Sequence, residues 1–234
     1  MGKNRICNVS MDKEIAKRLA SRKRRQIKDK KLSPSAVLLL LLEKDGECHV
    51  VFTKRSDNVE HHKGEISLPG GTVHPEDSDL LDTALREGAE EIGLVRDDVM
   101  ILGGLDDILT VSTGFVITPY VGIIPYPYPF QINTDEVAEL ILVPLRGLMD
   151  ERRVGTSQVT WEGRQITTYH FDYHGDIIWG ATARIVKQFL DLTMGTMGSG
   201  NRDSGTREST SSCSKDSKVS CKAVPWAKDE VPQP

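Results

Sequence analysis

The chain has 234 residues, 38% of them hydrophobic and 27% charged, with a formal net charge of −4. That is enough for one sizeable core, or two small ones, in an ordinary soluble protein. Cys7, Cys48, Cys213 and Cys221 form no Cys-x-x-Cys pair, which argues against a disulfide scaffold or a zinc site and for a reducing compartment.

The charge is unevenly spread. Residues 1–31 carry 12 Lys+Arg against 3 Asp+Glu, residues 32–194 carry 12 against 26, and residues 195–234 carry 6 against 5. An acidic body with a basic arm suggests a cation requirement, a charged partner, or both. Residues 11–31, MDKEIAKRLASRKRRQIKDKK, read as a basic helix or arm, either solvated or in contact with a phosphate-bearing substrate, nucleic acid or membrane surface. The arm lacks aromatics, which argues against stacking on nucleic-acid bases. No apolar stretch follows the basic residues as in a secretory signal, and Asp12, Glu14 and Asp29 interrupt a mitochondrial-type leader. The cytoplasm is the default location, with an organelle left open. The longest apolar run, AVLLLLL at 36–42, is too short to span a bilayer.

The stretch SPSAVLLLLLEKDGECHVVFTKRS predicts two strands joined by a hairpin at Asp45-Gly46, the first buried on both faces. A loop follows through DNVEHHKGEISLPGGTVHPED, whose Pro69-Gly70-Gly71 lets backbone approach a ligand or metal closely. The helix that carries LREGAEEIGL, residues 85–94, comes next. Asp77, Ser78 and Asp79 are its cap candidates, Gly93 suits its end, and Leu81, Ala84, Leu85, Ala89 and Ile92 form its buried stripe. Gly88 on that stripe costs about 1 kcal/mol of helix propensity, consistent with close packing. Strand-like runs follow at VMILGGL, FVITPYVGII and ELILVPL. WEGRQITTYHFDYHGDIIWG predicts a further hairpin, in which Phe171 and Trp179 read as core. ATARIVKQFLDLTM predicts an amphipathic helix, and the Gly/Ser/Thr-rich sequence from 195 reads as a disordered polar tail. Strands interleaved with two main helices give one α/β domain with a mixed sheet over 32–194, flanked by the arm 1–31 and the tail 195–234.

The chemistry concentrates in LREGAEEIGL, 85–94. Glu87, Glu90 and Glu91 are helical neighbours that repel by a few tenths of a kcal/mol per pair. The periodicity predicts that all three point away from the buried stripe. Such a face is either solvated or holds a cation. Carboxylate oxygens select Mg²⁺ or Mn²⁺, which take phosphate oxygens as their remaining ligands. The glycine loop leading into the helix favours the second reading. A carboxylate off the metal could act as general base, and Arg86 could orient Glu87.

The stretch GGTVHPEDSDLLDTALREGAEEIGL, 70–94, resembles the Nudix box, G-x5-E-x7-R-E-U-x-E-E-x-G-U. Arg86, Glu87, Glu90, Glu91, Gly93 and Leu94 match it. Asp77 stands for the mid-box Glu, Gly88 for an apolar residue, and the spacing from Gly71 to Arg86 is one residue longer than in the general box. That extra residue, and FTKRSDNVEHHKGEISLPGG at 52–71, are similar to the coenzyme A pyrophosphatase branch, through Thr53, Arg55, Ser56, His62, Gly64, Pro69, Gly70 and Gly71. The likeness runs over about 34–192 and leaves the arm and tail unexplained.

The resemblance implies an α/β/α sandwich. It implies metal-dependent hydrolysis of coenzyme A or its thioesters to 3′,5′-ADP and 4′-phosphopantetheine or its acyl form. It also implies Glu87, Glu90 and Glu91 as metal ligands and base, and a backbone carbonyl of Gly71 as a further ligand. Arg86 belongs to the same catalytic set, and Arg55, Ser56, His62 and Gly70 lie near the substrate. Glu136 or Glu139 could add a later ligand. The partner is a small nucleotide rather than nucleic acid, and a homodimer is left open. Two alternatives remain: the same chemistry on another nucleoside diphosphate such as ADP-ribose, and a weakly catalytic binding module that contacts RNA or an acidic partner through its arm.

Overall fold

A computed structural model of the chain describes residues 9–59, 63–110, 114–161 and 164–195. The calls on His62 and on the tail beyond residue 195 lie outside these residues. Among the described residues, no helix is long and apolar enough to cross a membrane.

The predicted hairpin forms. Strand β1 (Ser33–Lys44) and strand β2 (Glu47–Arg55) turn through Asp45 and Gly46, both at positive φ (54° and 77°), which suits a tight two-residue turn. Leu38 to Leu42 are fully buried, so β1 is covered on both faces as its apolar run requires. Two short strands missing from the sequence reading, β3 (Ile66–Ser67) and β4 (Gly70–Thr72), lie in the expected loop. The first helix of the body, α2, spans Leu80–Ile92 and is followed by β5 (Met100–Gly104), β6 (Ile108–Leu109), β7 (Phe115–Ile123) and β8 (Val137–Pro144).

These eight strands make one sheet in the order β3-β2-β1-β7-β5, with β4 on β1, β6 on β7 and β8 on β2. β1 and β7 run parallel and the other pairs antiparallel, so the sheet is mixed. β1 pairs with β2 through Leu40–Lys44 but with β4 through Ser35–Val37. The sheet thus splits at one end, where the segment from β3 to β4 enters.

The predicted second hairpin is a three-stranded sheet of β9 (Val154–Trp161), β10 (Arg164–Tyr173) and β11 (Asp176–Ile178). A single-turn helix α3 (Leu145–Leu148) follows β8, and helix α4 (Gly180–Met194) closes the fold. Leu39, Leu41, Val50, Phe52, Val121, Phe171 and Phe189 make the core under α4. Leu38, Leu40, Val51, Ala84, Leu85 and Ile92 make the core under α2. Helices on both faces of a mixed sheet complete the α/β/α sandwich. Trp179 differs from its core reading: it is 36% exposed at the start of α4, whereas Phe171 is buried.

The basic segment behaves differently from a solvated arm. Its helix, α1, covers only Val9–Ala20 and buries Ile15 and Leu19 in the core under α4, because its apolar residues recur at helical spacing. Leu19 packs on the bare backbone of Gly103. The chain then passes the β5 edge, and Arg24 reaches the other face, stacked over Tyr120.

Candidate active site

Helix α2 is fixed at both ends by its own sequence. The Asp79 side chain accepts from the Asp82 backbone N–H at the start. At the end, Gly93 takes the left-handed conformation and Leu94 N–H reaches the Gly88 carbonyl. The next loop satisfies two further terminal carbonyls: Gln131 N–H donates to Ile92 and Asn133 N–H to Glu91. This pins Glu136 beside the helix, because Asn133 O accepts from the backbone N–H of Glu136 and of Val137.

The three glutamates occupy different environments. Glu90 is exposed and Glu87 is mostly covered. Glu91 is 4% exposed, against the expectation that it faces away from the buried stripe. It takes its place beside Gly88 and Ile92, whereas Ala89, assigned to the stripe from its spacing, is exposed. Glu91 accepts a bond of 3.3 Å from Gly70 N–H. Burial pushes its carboxyl up to about 8, against the pull of that bond, and the charges of Glu87 and Glu136 add to the rise. Burial likewise raises Glu87, with Arg86 opposing. Arg55 is the cation that acts on Glu91.

Arg86 organises the loop side. Its Nε and Nη2 donate to Asp77 at 2.8 and 3.1 Å, and Nη2 also donates to the Thr72 carbonyl at 2.9 Å. Its Nη1 lies 3.0 Å from both Glu87 and Glu90. Asp77, which also accepts from Thr83 and from His74 N–H, is held well below the usual carboxylate range, chiefly by Arg86. The mid-box acid here therefore anchors the arginine.

Gly71 leaves room for a carboxylate. A Cβ there would stand 2.5 Å from both Glu87 oxygens. Gly70 sits at φ 150°, and a Cβ there would meet the Ala36 carbonyl and Val37.

Upstream, the pairing of β2 with β8 steps from Glu139 to Val137 across Lys54 and Arg55. Such an irregularity re-aims side chains at a strand end. Ser56 is buried: its Oγ donates to the Asp135 carbonyl and its N–H to the Glu136 carbonyl. It fixes the segment that carries Glu136 rather than presenting its hydroxyl outward. Glu139 lies across the strand near Lys54. Glu136 is thus the one of the two later acids that joins the cluster. Both were visible in NTDEVAEL, but only the bonds of Asn133 separate them.

The donor set suits a hard divalent cation. It offers carboxylate oxygens at Glu87, Glu90, Glu91 and Glu136 and backbone at Gly70-Gly71. Glu91 supplies a specific test of that fit. It is a buried carboxylate with one weak bond, facing two further acids, and a cation supplies the missing countercharge. Among the described residues no three His, Cys, Asp or Glu side chains are gathered so as to hold an ion, and Arg86 Nη1 lies between Glu87 and Glu90, 3.0 Å from each.

Residues 32–156 match the NUDIX domain model. The chain is 36% identical over 138 residues, 59% of its own length and 69% of the relative's, to the uncharacterized Nudix hydrolase NudL of Yersinia pestis (strain Pestoides F). The same figures hold for NudL of Yersinia pseudotuberculosis (serotype O:1b, strain IP 31758). Among solved structures, a MutT/nudix family protein from Enterococcus faecalis matches 74% of this chain and 66% of its own, at 15% identity and a TM-score of 0.47. The chain belongs to the Nudix family, hydrolases of phosphoric anhydride bonds in nucleoside diphosphate compounds that use divalent metal ions.

Proposed function

We propose that this hydrolase acts on coenzyme A or its thioesters, cleaving the diphosphate to release 3′,5′-ADP and 4′-phosphopantetheine or its acyl form. The observation that carries this reading is the placement of the upstream stretch 52–71. Its likeness to the coenzyme A branch lies in Thr53, Arg55, Ser56, His62, Gly64 and Pro69 to Gly71. Three of these residues meet the carboxylate cluster: Arg55 acts on Glu91, Ser56 latches the Glu136 segment, and Gly70 donates to Glu91.

In this reading Glu87, Glu90 and Glu91 hold Mg²⁺ or Mn²⁺, with the Gly71 carbonyl and Glu136 as further oxygens. The ion supplies positive charge and Lewis acidity toward the diphosphate oxygens. Arg86 ties the 72–77 loop to α2 and so fixes the glutamates relative to Gly70 and Gly71. Arg55 adds a cation where an anionic substrate enters. Gly71 keeps a Cβ atom off the Glu87 carboxylate, where the diphosphate must approach, and Gly70 lets the backbone lie against Ala36 and Val37. A glutamate of the cluster takes the proton of the attacking water. The setting is the reducing cytoplasm.

The test is turnover of coenzyme A with Mg²⁺ or Mn²⁺ by the wild type and by Glu91→Gln. The variant folds, because glutamine keeps the volume and its Oε1 can still accept from Gly70 N–H, but loses nearly all activity. Normal turnover by Glu91→Gln removes the metal-site assignment.

A further inference from the structure

Arg184, on the second turn of α4, stands out among the cations of the domain. Arg22 is paired with Asp106, Arg86 with Asp77, Lys54 with Asp176 and Lys187 with Asp191. Arg184 is partly buried, and its one hydrogen bond among the described residues runs from Nη1 to the Leu109 carbonyl at 2.7 Å. No acidic side chain among the described residues pairs with it, and burial alone depresses its proton affinity. A guanidinium carries five donors in a planar fork suited to phosphate or carboxylate. Leaving most of them unmatched in a half-buried place is costly unless an anion comes.

The basic N-terminal segment explains why no local acid takes the role. The nearest acids in sequence to Leu109 are Asp106 and Asp107. Asp106 accepts from Arg22 and from Arg25 N–H, and Asp107 from Ile27 N–H and Thr118 Oγ1. Arg22, Arg24 and the backbone of Arg25 and Ile27 thus occupy these two acids, and Arg184 keeps its charge.

Its position is at the substrate end of the sheet. Leu109 of β6 lies opposite Val116 of β7, and Val116 beside Pro34 of β1. Ala36, two residues along β1, faces Gly71 of β4. Three strand steps put the Leu109 backbone about 15 Å from Gly71. The carboxylates lie on the α2 side and Arg184 on the α4 side. A 3′-phosphorylated ribose that follows a diphosphate held at the glutamates would fold over the strand ends toward Arg184, with the side chains of Arg184 and the glutamates covering the remaining distance.

We propose that Arg184 binds the phosphomonoester carried on the nucleoside of the substrate, the 3′-phosphate of coenzyme A, and so sets the preference for 3′-phosphorylated substrates. This rests on the coenzyme A reading for the identity of the compound.

The experiment compares kcat/KM for coenzyme A and 3′-dephospho-coenzyme A in the wild type, Arg184→Gln and Arg184→Lys. The two compounds share the reacting diphosphate. Calorimetric binding of 3′,5′-ADP and 5′-AMP is measured on the same proteins. The wild type favours the 3′-phosphorylated member of each pair by about tenfold or more. Arg184→Gln brings both ratios close to one, through KM, with dephospho-coenzyme A turned over as before. Arg184→Lys, which keeps the charge but not the fork, falls between. Equal loss on both substrates, or an unchanged ratio, overturns the proposal and leaves Arg184 a structural donor to Leu109. If the wild type cleaves neither compound but another nucleoside diphosphate, the coenzyme A reading fails. The 3′,5′-ADP to 5′-AMP binding ratio then decides Arg184 alone: lost in Arg184→Gln it stands, kept it falls. If thermal melting shows Arg184→Gln unfolded, the Lys variant decides by the same ratios, reduced discrimination supporting the proposal and undiminished discrimination refuting it.

Discussion

Gly71→Ala separates the site from the fold. The added Cβ stands 2.5 Å from both oxygens of Glu87, whereas ordinary contact begins at 3.4 Å. The carboxylate must therefore retreat by roughly 1 Å, and it can, since it is the end of a flexible side chain. Gly71 has no positive φ that a side chain would strain. Alanine also restricts the unfolded chain, worth about 0.4–1 kcal/mol in favour of the fold. The net effect on stability is about 1 kcal/mol or less in either direction, a melting shift of a few degrees at most. Activity responds differently, because displacement of a positioned group by about 1 Å costs on the order of a hundredfold in rate. The assay is steady-state turnover beside thermal melting of the same sample. Wild-type kcat in Gly71→Ala refutes a functional role for the Glu87 carboxylate position. A loss of many degrees in melting refutes the claim that only a mobile side chain is displaced. Gly70→Ala is the contrast: its Cβ meets backbone at Ala36 and lies 2.6 Å from Val37 Cα, at φ 150°. It costs stability as well as activity.

Other predictions reach outside the glycine loop. Leu19→Ala removes a buried side chain that packs on Gly103, and denaturant unfolding should show a loss of about 2–5 kcal/mol; a loss under 0.5 kcal/mol contradicts the docking of α1. Asp12 is 6% exposed, its Oδ1 finds no hydrogen-bond partner among the described residues, and burial, with Glu43 adding, pushes it up to about 6. Because the folded state holds this proton more tightly than the unfolded one, the stabilisation is complete below about pH 4 and lost as pH rises through 6. Asp12→Asn should therefore gain about 1–3 kcal/mol over wild type at pH 7 and nothing at pH 4, read from denaturant titrations at both values. Mg²⁺ or Mn²⁺ should raise the melting temperature of the wild type, by the equivalent of about 2.7 kcal/mol at a hundred times Kd. The same ion should leave Glu91→Gln unmoved, and an equal rise in both places the ion elsewhere.

What the sequence displays directly is periodicity and local chemistry. The Asp45-Gly46 hairpin, the buried β1, helix α2 with Asp79 among three cap candidates and Gly93 at its end, and the acid cluster were all legible, because each depends on a few adjacent residues. The short strands β3 and β4 were not, since their partners lie 12 or more residues away and two or three residues carry no period. The burial of Glu91 was hidden for a related reason. An acid on a helix reads as solvent-facing, and only the approach of Gly70 from another element covers it. The basic segment misled through its charge count. Ile15 and Leu19 are two apolar residues in a cationic stretch, and their burial depends on β5 and α4. Glu136 owes its place to Asn133, whose N–H bonds to Glu91 far back in the chain, and Arg184 owes its place to Leu109, 75 residues away.

The most direct measurement is product analysis after incubating the purified protein with Mg²⁺ or Mn²⁺ and, separately, coenzyme A, acetyl coenzyme A, ADP-ribose, diadenosine polyphosphate and 8-oxo-dGTP. Release of 3′,5′-ADP from the coenzyme A compounds, with little turnover of the rest, is the result this account predicts. Turnover of ADP-ribose or of a nucleotide, with the coenzyme A compounds intact, contradicts it.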